Sequence, residues 1–168
     1  MSDEVASRLR HLLGSWQGTG RGEFPTIDAF RYREELRVHA RGDEPELHFE
    51  QRTWRVSAGE DDGESLHWES GFLLLLEDGT VELLNAQQSR RVEVLTGRLE
   101  LLGSDGFELR LESVVHAHDD RMRATERVYR LEGDRLTYEA RMATGDVPSL
   151  GLHLVGDLSR VATPTPGF

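Results

Sequence analysis

Apolar and polar residues alternate along most of this chain, and the period of the pattern changes once, near Gly14. Before it, Val5, Leu9, Leu12 and Leu13 recur at helical spacing, which predicts a short helix over about residues 3–13 that Gly14 stops. After it the period is two. Candidate strands fall at about 15–24, 29–39, 46–57, 65–77, 80–87, 91–102, 107–115, 121–132, 135–143 and 151–162. Turn residues separate them, among them Gly42-Asp43, Asp62-Gly63, Asp78-Gly79, Ser104-Asp105-Gly106 and Gly133-Asp134. Such short links join neighbouring antiparallel strands. About ten strands in meander order, with almost no helix, predict an all-β, up-and-down antiparallel β-barrel that closes on itself and so has no edges. A two-sheet sandwich is the alternative. One domain is expected over 1–160. Residues 161–168, with their Thr-Pro-Thr-Pro run, read as a loose, flexible C-terminal tail.

Composition narrows the partners. The chain has 168 residues and a formal net charge of -11, a surface that repels phosphate backbones and anionic lipid. Nucleic acid and membranes are therefore not expected as partners. The start, MSDEVASRLR, lacks the apolar core of a signal peptide, and the longest apolar run, Phe72–Leu76, is too short to span a bilayer. There are no cysteines, which excludes disulfides, thiolate metal ligands and a cysteine nucleophile. A cytoplasmic location is the simplest expectation.

The segment Gly14-Ser15-Trp16-Gln17-Gly18-Thr19-Gly20-Arg21-Gly22-Glu23-Phe24 places Gly14, Trp16, Gly18, Gly20, Gly22 and Phe24 on one face of a strand. Polar residues occupy the other. Glycine weakens a strand, so bare backbone on the inner face needs a reason. Either it lets the wall bend and pack closely, or it leaves room for a bulky flat ligand. Pro25 ends the strand, and Thr26 follows at the barrel mouth, where its hydroxyl caps the turn or meets a ligand.

Seven histidines are the other candidate chemistry. His116 and His118, beside Asp119 and Asp120, read as solvated loop residues more readily than as a metal site. His67 and His153 stand apart because they lie inside apolar strands. A neutral imidazole inside a barrel ligates a metal, donates to a ligand, or is satisfied by backbone. The side chains flanking His153 are both leucines, so the alternation does not say which way His153 points. No Gly-x-Ser-x-Gly elbow or phosphate loop occurs.

The run Gly14-x-Trp16-x-Gly18-x-Gly20, continued by Arg21-Gly22-Glu23-Phe24-Pro25-Thr26-Ile27, closely resembles the signature of the nitrobindins, haem-binding barrels of the lipocalin and fatty-acid-binding-protein kind. Further blocks keep their order: Tyr32-Arg33-Glu34-Glu35, Gln51-Arg52-Thr53, Leu66–Phe72, Val81-Glu82-Leu83 with Ala86-Gln87, Tyr138–Met142, and His153-Leu154. The resemblance implies a haem b held without covalent attachment, with His153 matching the proximal iron ligand. It places Thr26 against the haem, His67 in the pocket, and Leu66, Gln87 and Met142 at neighbouring positions. It also implies nitric oxide binding and, in the ferric form, isomerisation of peroxynitrite to nitrate; a monomer or homodimer is expected. Phe24 and Phe72 stand where the family often has tyrosine, and Arg121 or Arg123 is the candidate basic residue near the haem edge. Opposite His153 the expectation is an apolar pocket without strong acid–base groups. The rival reading is a non-enzymatic carrier of a fatty acid or other lipophile. A third is a nitric oxide carrier or sensor without turnover.

Overall fold

The computed structural model describes residues 2–162 and forms a closed ten-stranded antiparallel barrel. Helix α1 (Ser2–Leu9) and a 3-10 turn (Arg10–Leu12) precede β1 (Gly14–Phe24), β2 (Ile27–Ala40), β3 (Leu47–Val56), β4 (Ser65–Leu75) and β5 (Val81–Gln87). They are followed by β6 (Val92–Leu102), β7 (Gly106–Ala117), β8 (Met122–Glu132), β9 (Arg135–Thr144) and β10 (Gly151–Val161). Each strand pairs with its neighbours in sequence, and β1 closes the ring on β10, from Ser15 opposite Val161 to Gly22 opposite Leu154. That last ladder excludes the sandwich. Of the expected tail, Val161 ends β10, and 163–168 lie outside the described residues.

The two ends of the barrel differ. At the closed end the N-terminal helix straps the turns: Arg8 donates to the carbonyl of Gly106 at 2.9 Å and Arg10 to that of Glu44 at 2.7 Å. Val5, Leu9 and Leu12 are buried beneath it. Trp16 is fully buried there, its indole N–H donating to the Leu12 carbonyl at 2.8 Å. Gly79 and Gly133 take positive φ (82° and 58°), the left-handed geometry that tight links between strands require. The apolar core fills this half.

The mouth end is irregular. Register shifts interrupt five ladders there, at Gly22/Phe24, Thr53/Trp54, Val94/Leu95, Met122/Ala124 and Leu152/Leu154. A bulge adds one residue to one strand, bends it and re-aims side chains. Leu66 is the extra residue of β4 and His153 that of β10.

The glycine strand serves its neighbours rather than empty space. A Cβ on Gly18 would collide with the Asp157 backbone of β10, on Gly20 with the Tyr32 ring, and on Gly22 with Phe30 and Leu154. The expected ligand space is thus taken by two aromatic side chains of β2. They lie across the bare backbone and present their own surfaces to the interior.

Candidate ligand cavity

The mouth half encloses a cavity of about 590 Å³, within the range of small-molecule sites. His67, Gln87, Met142 and His153 line it, with Leu66. Thr26 does not; it is exposed in the β1–β2 turn at the rim.

The bulges explain why both His153 and Leu154, and both Leu66 and His67, line the cavity although consecutive strand residues normally point apart. His153 is held by the β1 wall: its Nδ1 lies 3.1 Å from the Glu23 carbonyl. A carbonyl only accepts, so Nδ1 carries the proton and Nε2 keeps a lone pair. Phe24 meets the imidazole edge-on at 5.9 Å between ring centroids. Burial lowers the His153 pKa below the ordinary 6.5, so the ring is neutral at neutral pH.

The wall opposite is charged, which corrects the expectation of an apolar, acid–base-free pocket. Arg127 of β8 donates through both guanidinium nitrogens to the Glu69 carboxylate and, at 2.8 Å, to Glu93. Asn85 donates to both carboxylates at 3.0 and 3.1 Å, Gln87 and Thr125 donate to Glu93, and His67 Nε2 donates to Glu69 at 3.0 Å. Burial pushes the Glu69 carboxyl up, but the Arg127 charge and the His67 hydrogen bond outweigh it and hold the group well below the usual range. The charges are satisfied by one another, which is what makes their burial tolerable.

Deeper in the barrel a second polar layer crosses the interior. Glu34 accepts from Tyr138 and from Gln51, each at 2.6 Å, and the Tyr32 and Tyr138 hydroxyls are 2.7 Å apart. Burial raises the Glu34 pKa from 4.5 to about 8, so it is protonated at neutral pH.

Neither Arg121 nor Arg123 lines the cavity; Arg121 is exposed and pairs with Asp119 at 3.1 Å. Arg91 lines it instead. Its buried Nε has no hydrogen-bond partner, the Asp119 carboxylate being 3.8 Å away. His116 faces Glu93 at 3.7 Å, and no group of three or more metal-ligating side chains exists among the described residues. The alternation carried a signal for the residues missed: Glu34 shares the parity of Tyr32 and Leu36, and Glu69 that of His67. A charged residue at an inward position announces a buried network.

A closed meander barrel with an imidazole in its mouth and a hydrogen-bonded charged wall is a ligand-binding barrel of the small-molecule class. Residues 6–160 match the model of the THAP4-like, heme-binding beta-barrel domain, and the chain belongs to that family. It is 34% identical over 153 residues to "Peroxynitrite isomerase Rv2717c" of Arabidopsis thaliana, covering 91% of this chain and 87% of the relative. It is 37% identical over 158 residues to "Peroxynitrite isomerase 1" of Mycobacterium tuberculosis, covering 90% and 92%. The crystal structure of Rv2717c from M. tuberculosis superposes with a TM-score of 0.83 at 34% identity, over 94% of this chain and 98% of that one. The S-type phycobiliprotein lyase CPES from Guillardia theta shares the fold alone, with a TM-score of 0.57 at 14% identity.

Proposed function

We propose that this chain holds a non-covalent haem b in its mouth cavity, with His153 as the iron ligand, and isomerises peroxynitrite to nitrate. The observation that carries the reading is the tautomer of His153: the Glu23 carbonyl takes the Nδ1 proton and leaves the Nε2 lone pair free on a neutral ring in the cavity. The rest of the lining fits a flat apolar group with acidic edges. Leu66, Phe30, Ala140, Met142 and Leu154 offer apolar contact, and the unpartnered Nε of Arg91 suits a carboxylate.

Bound haem supplies the ferric iron at which peroxynitrite is converted. The chain's own residues set the conditions. His153 is oriented before any ligand arrives, because its Nδ1 is already anchored. His67 is turned toward the charged wall, its Nε2–H donating to Glu69. Arg55 and Arg141 also line the cavity but are already paired, with Asp61 and Glu64 and with Glu126 and Glu139. Nitric oxide, small and uncharged, fits the same position. Arg127 is already held by two carboxylates and is not available to a ligand headgroup, which leaves Arg91 as the lining cation a ligand carboxylate would meet. No helix among the described residues is long and apolar enough to cross a membrane. We infer a cytoplasmic monomer or homodimer working on small molecules.

The test is haem titration of the purified protein followed by absorption, beside His153→Ala, with nitrate yield from peroxynitrite measured on the haem complex and on the haem-free barrel. Unchanged spectra in His153→Ala overturn the ligand assignment. Equal nitrate yields with and without haem overturn the activity.

A further inference from the structure

Beneath the polar layer lies a second, smaller cavity of about 30 Å³. Its walls are side chains of the closed-end core, among them Leu12, Val38, Phe49, Leu73, Leu109 and Leu136, all buried. Gln51, Tyr129 and Tyr138 line both cavities and therefore form the partition between them. Glu34 lies on the inner side of that partition and lines the small cavity only.

The chamber has room for one or two waters by volume, the threshold being roughly 10–15 Å³ for each, but its chemistry does not hold them. A buried water needs two or more polar partners. The polar groups at the ceiling are already engaged: Glu34 with Tyr138 and Gln51, and Tyr138 with Tyr32. None of the buried side-chain atoms lacking a partner belongs to a residue that lines the chamber; they lie on His48, Asn85, Arg91 and His116. A buried void lined mainly by apolar side chains, its polar ceiling already hydrogen-bonded, stays dry and takes up apolar atoms of matching size.

We propose that this chamber is a second binding site, for a small uncharged diatomic gas such as nitric oxide or dioxygen, separated from the mouth cavity by the Tyr138–Glu34–Gln51 layer. The site is independent of any group bound at the mouth. The polar layer excludes ions from it, and an apolar diatomic loses little by crossing because it leaves no hydrogen bond behind. Peroxynitrite, an anion, stays above.

Xenon is the probe, since it reports dry apolar cavities without redox chemistry. The haem-free and haem-loaded proteins are crystallised and pressurised with xenon, and xenon exchange is followed by ¹²⁹Xe NMR. The expected result is one xenon between Leu109, Leu136 and Phe49 in both forms. Val38→Ile adds a methylene to the chamber wall and is expected to abolish that site while leaving haem absorption unchanged. Leu109→Ala enlarges the chamber and is expected to raise its occupancy, which keeps the test decisive if Val38→Ile does not fold. Xenon at the mouth alone, or ordered water in the chamber, overturns the proposal. Failure of haem to bind leaves the xenon result intact, so the two readings fail separately.

Discussion

His153 donates from Nδ1 to the carbonyl of Glu23 at 3.1 Å, one residue beyond Gly22 and Leu154, the last backbone pair of the β1–β10 ladder. The side chain takes over where the ladder stops, because His153 is the extra residue of a bulge. His153→Ala is expected to weaken haem binding by more than the about 10- to 100-fold that loss of an outer-shell partner costs. Free imidazole is expected to restore the wild-type absorption spectrum. His67→Ala is expected to keep haem affinity near wild type, because His67 is tied to Glu69 of the charged wall while His153 is the imidazole anchored by the β1 backbone. Parallel absorption titrations of the three proteins check this.

Glu34 makes stability fall as pH rises. Its folded-state pKa is raised from 4.5 to about 8, so the folded chain holds the proton more tightly than the unfolded one. That contribution is complete below pH 4.5 and is lost as the pH climbs through 8, each unit of difference being worth about 1.4 kcal/mol. Glu34→Gln keeps the shape and has no proton to lose. Urea melts between pH 5 and 9 are expected to show a decline for the wild type that is absent in Glu34→Gln.

Arg127 bridges two carboxylates that are both almost fully buried. Arg127→Met leaves Glu69 and Glu93 uncompensated and is expected to destabilise the barrel by about 3–5 kcal/mol. Adding Glu69→Gln and Glu93→Gln to the same chain is expected to recover most of the loss, since neither position then carries a buried charge. Denaturant midpoints of the single and triple variants measure it.

The three inward glycines of β1 are expected to differ in their tolerance of alanine. At Gly18 the obstacle is the Asp157 backbone, which moves only if the β1–β10 ladder opens. At Gly20 it is the Tyr32 ring, which can swing at the expense of its bond to Tyr138. Gly18→Ala is therefore expected to be the more damaging, at or above the about 1–3 kcal/mol typical of overpacking. Gly20→Ala is expected to shift the Glu34-dependent pH profile as well. Thermal melts across pH separate the two.

Much of this was legible in the alternation of residues. The ten strands and their turns follow from a period of two broken by turn residues, and the short helix from the helical spacing of Val5, Leu9 and Leu12. The resemblance carried by Gly14 to Gly20 brought His153, His67, Gln87 and Met142 together as candidates, and all four line one cavity. Thr26 does not, because the β1–β2 turn places it outside the rim.

What the chain alone determined is whatever depends on local periodicity: strand number and meander order. Three features were decided only when the barrel closed. Tyr32 and Phe30 fill the space over the glycines, the charges of Glu69, Glu93 and Arg127 meet across the interior, and the His153 bulge overrides alternation. Each depends on register between strands distant in sequence or on the curvature of the closed wall, and neither is written in the spacing of residues along one strand.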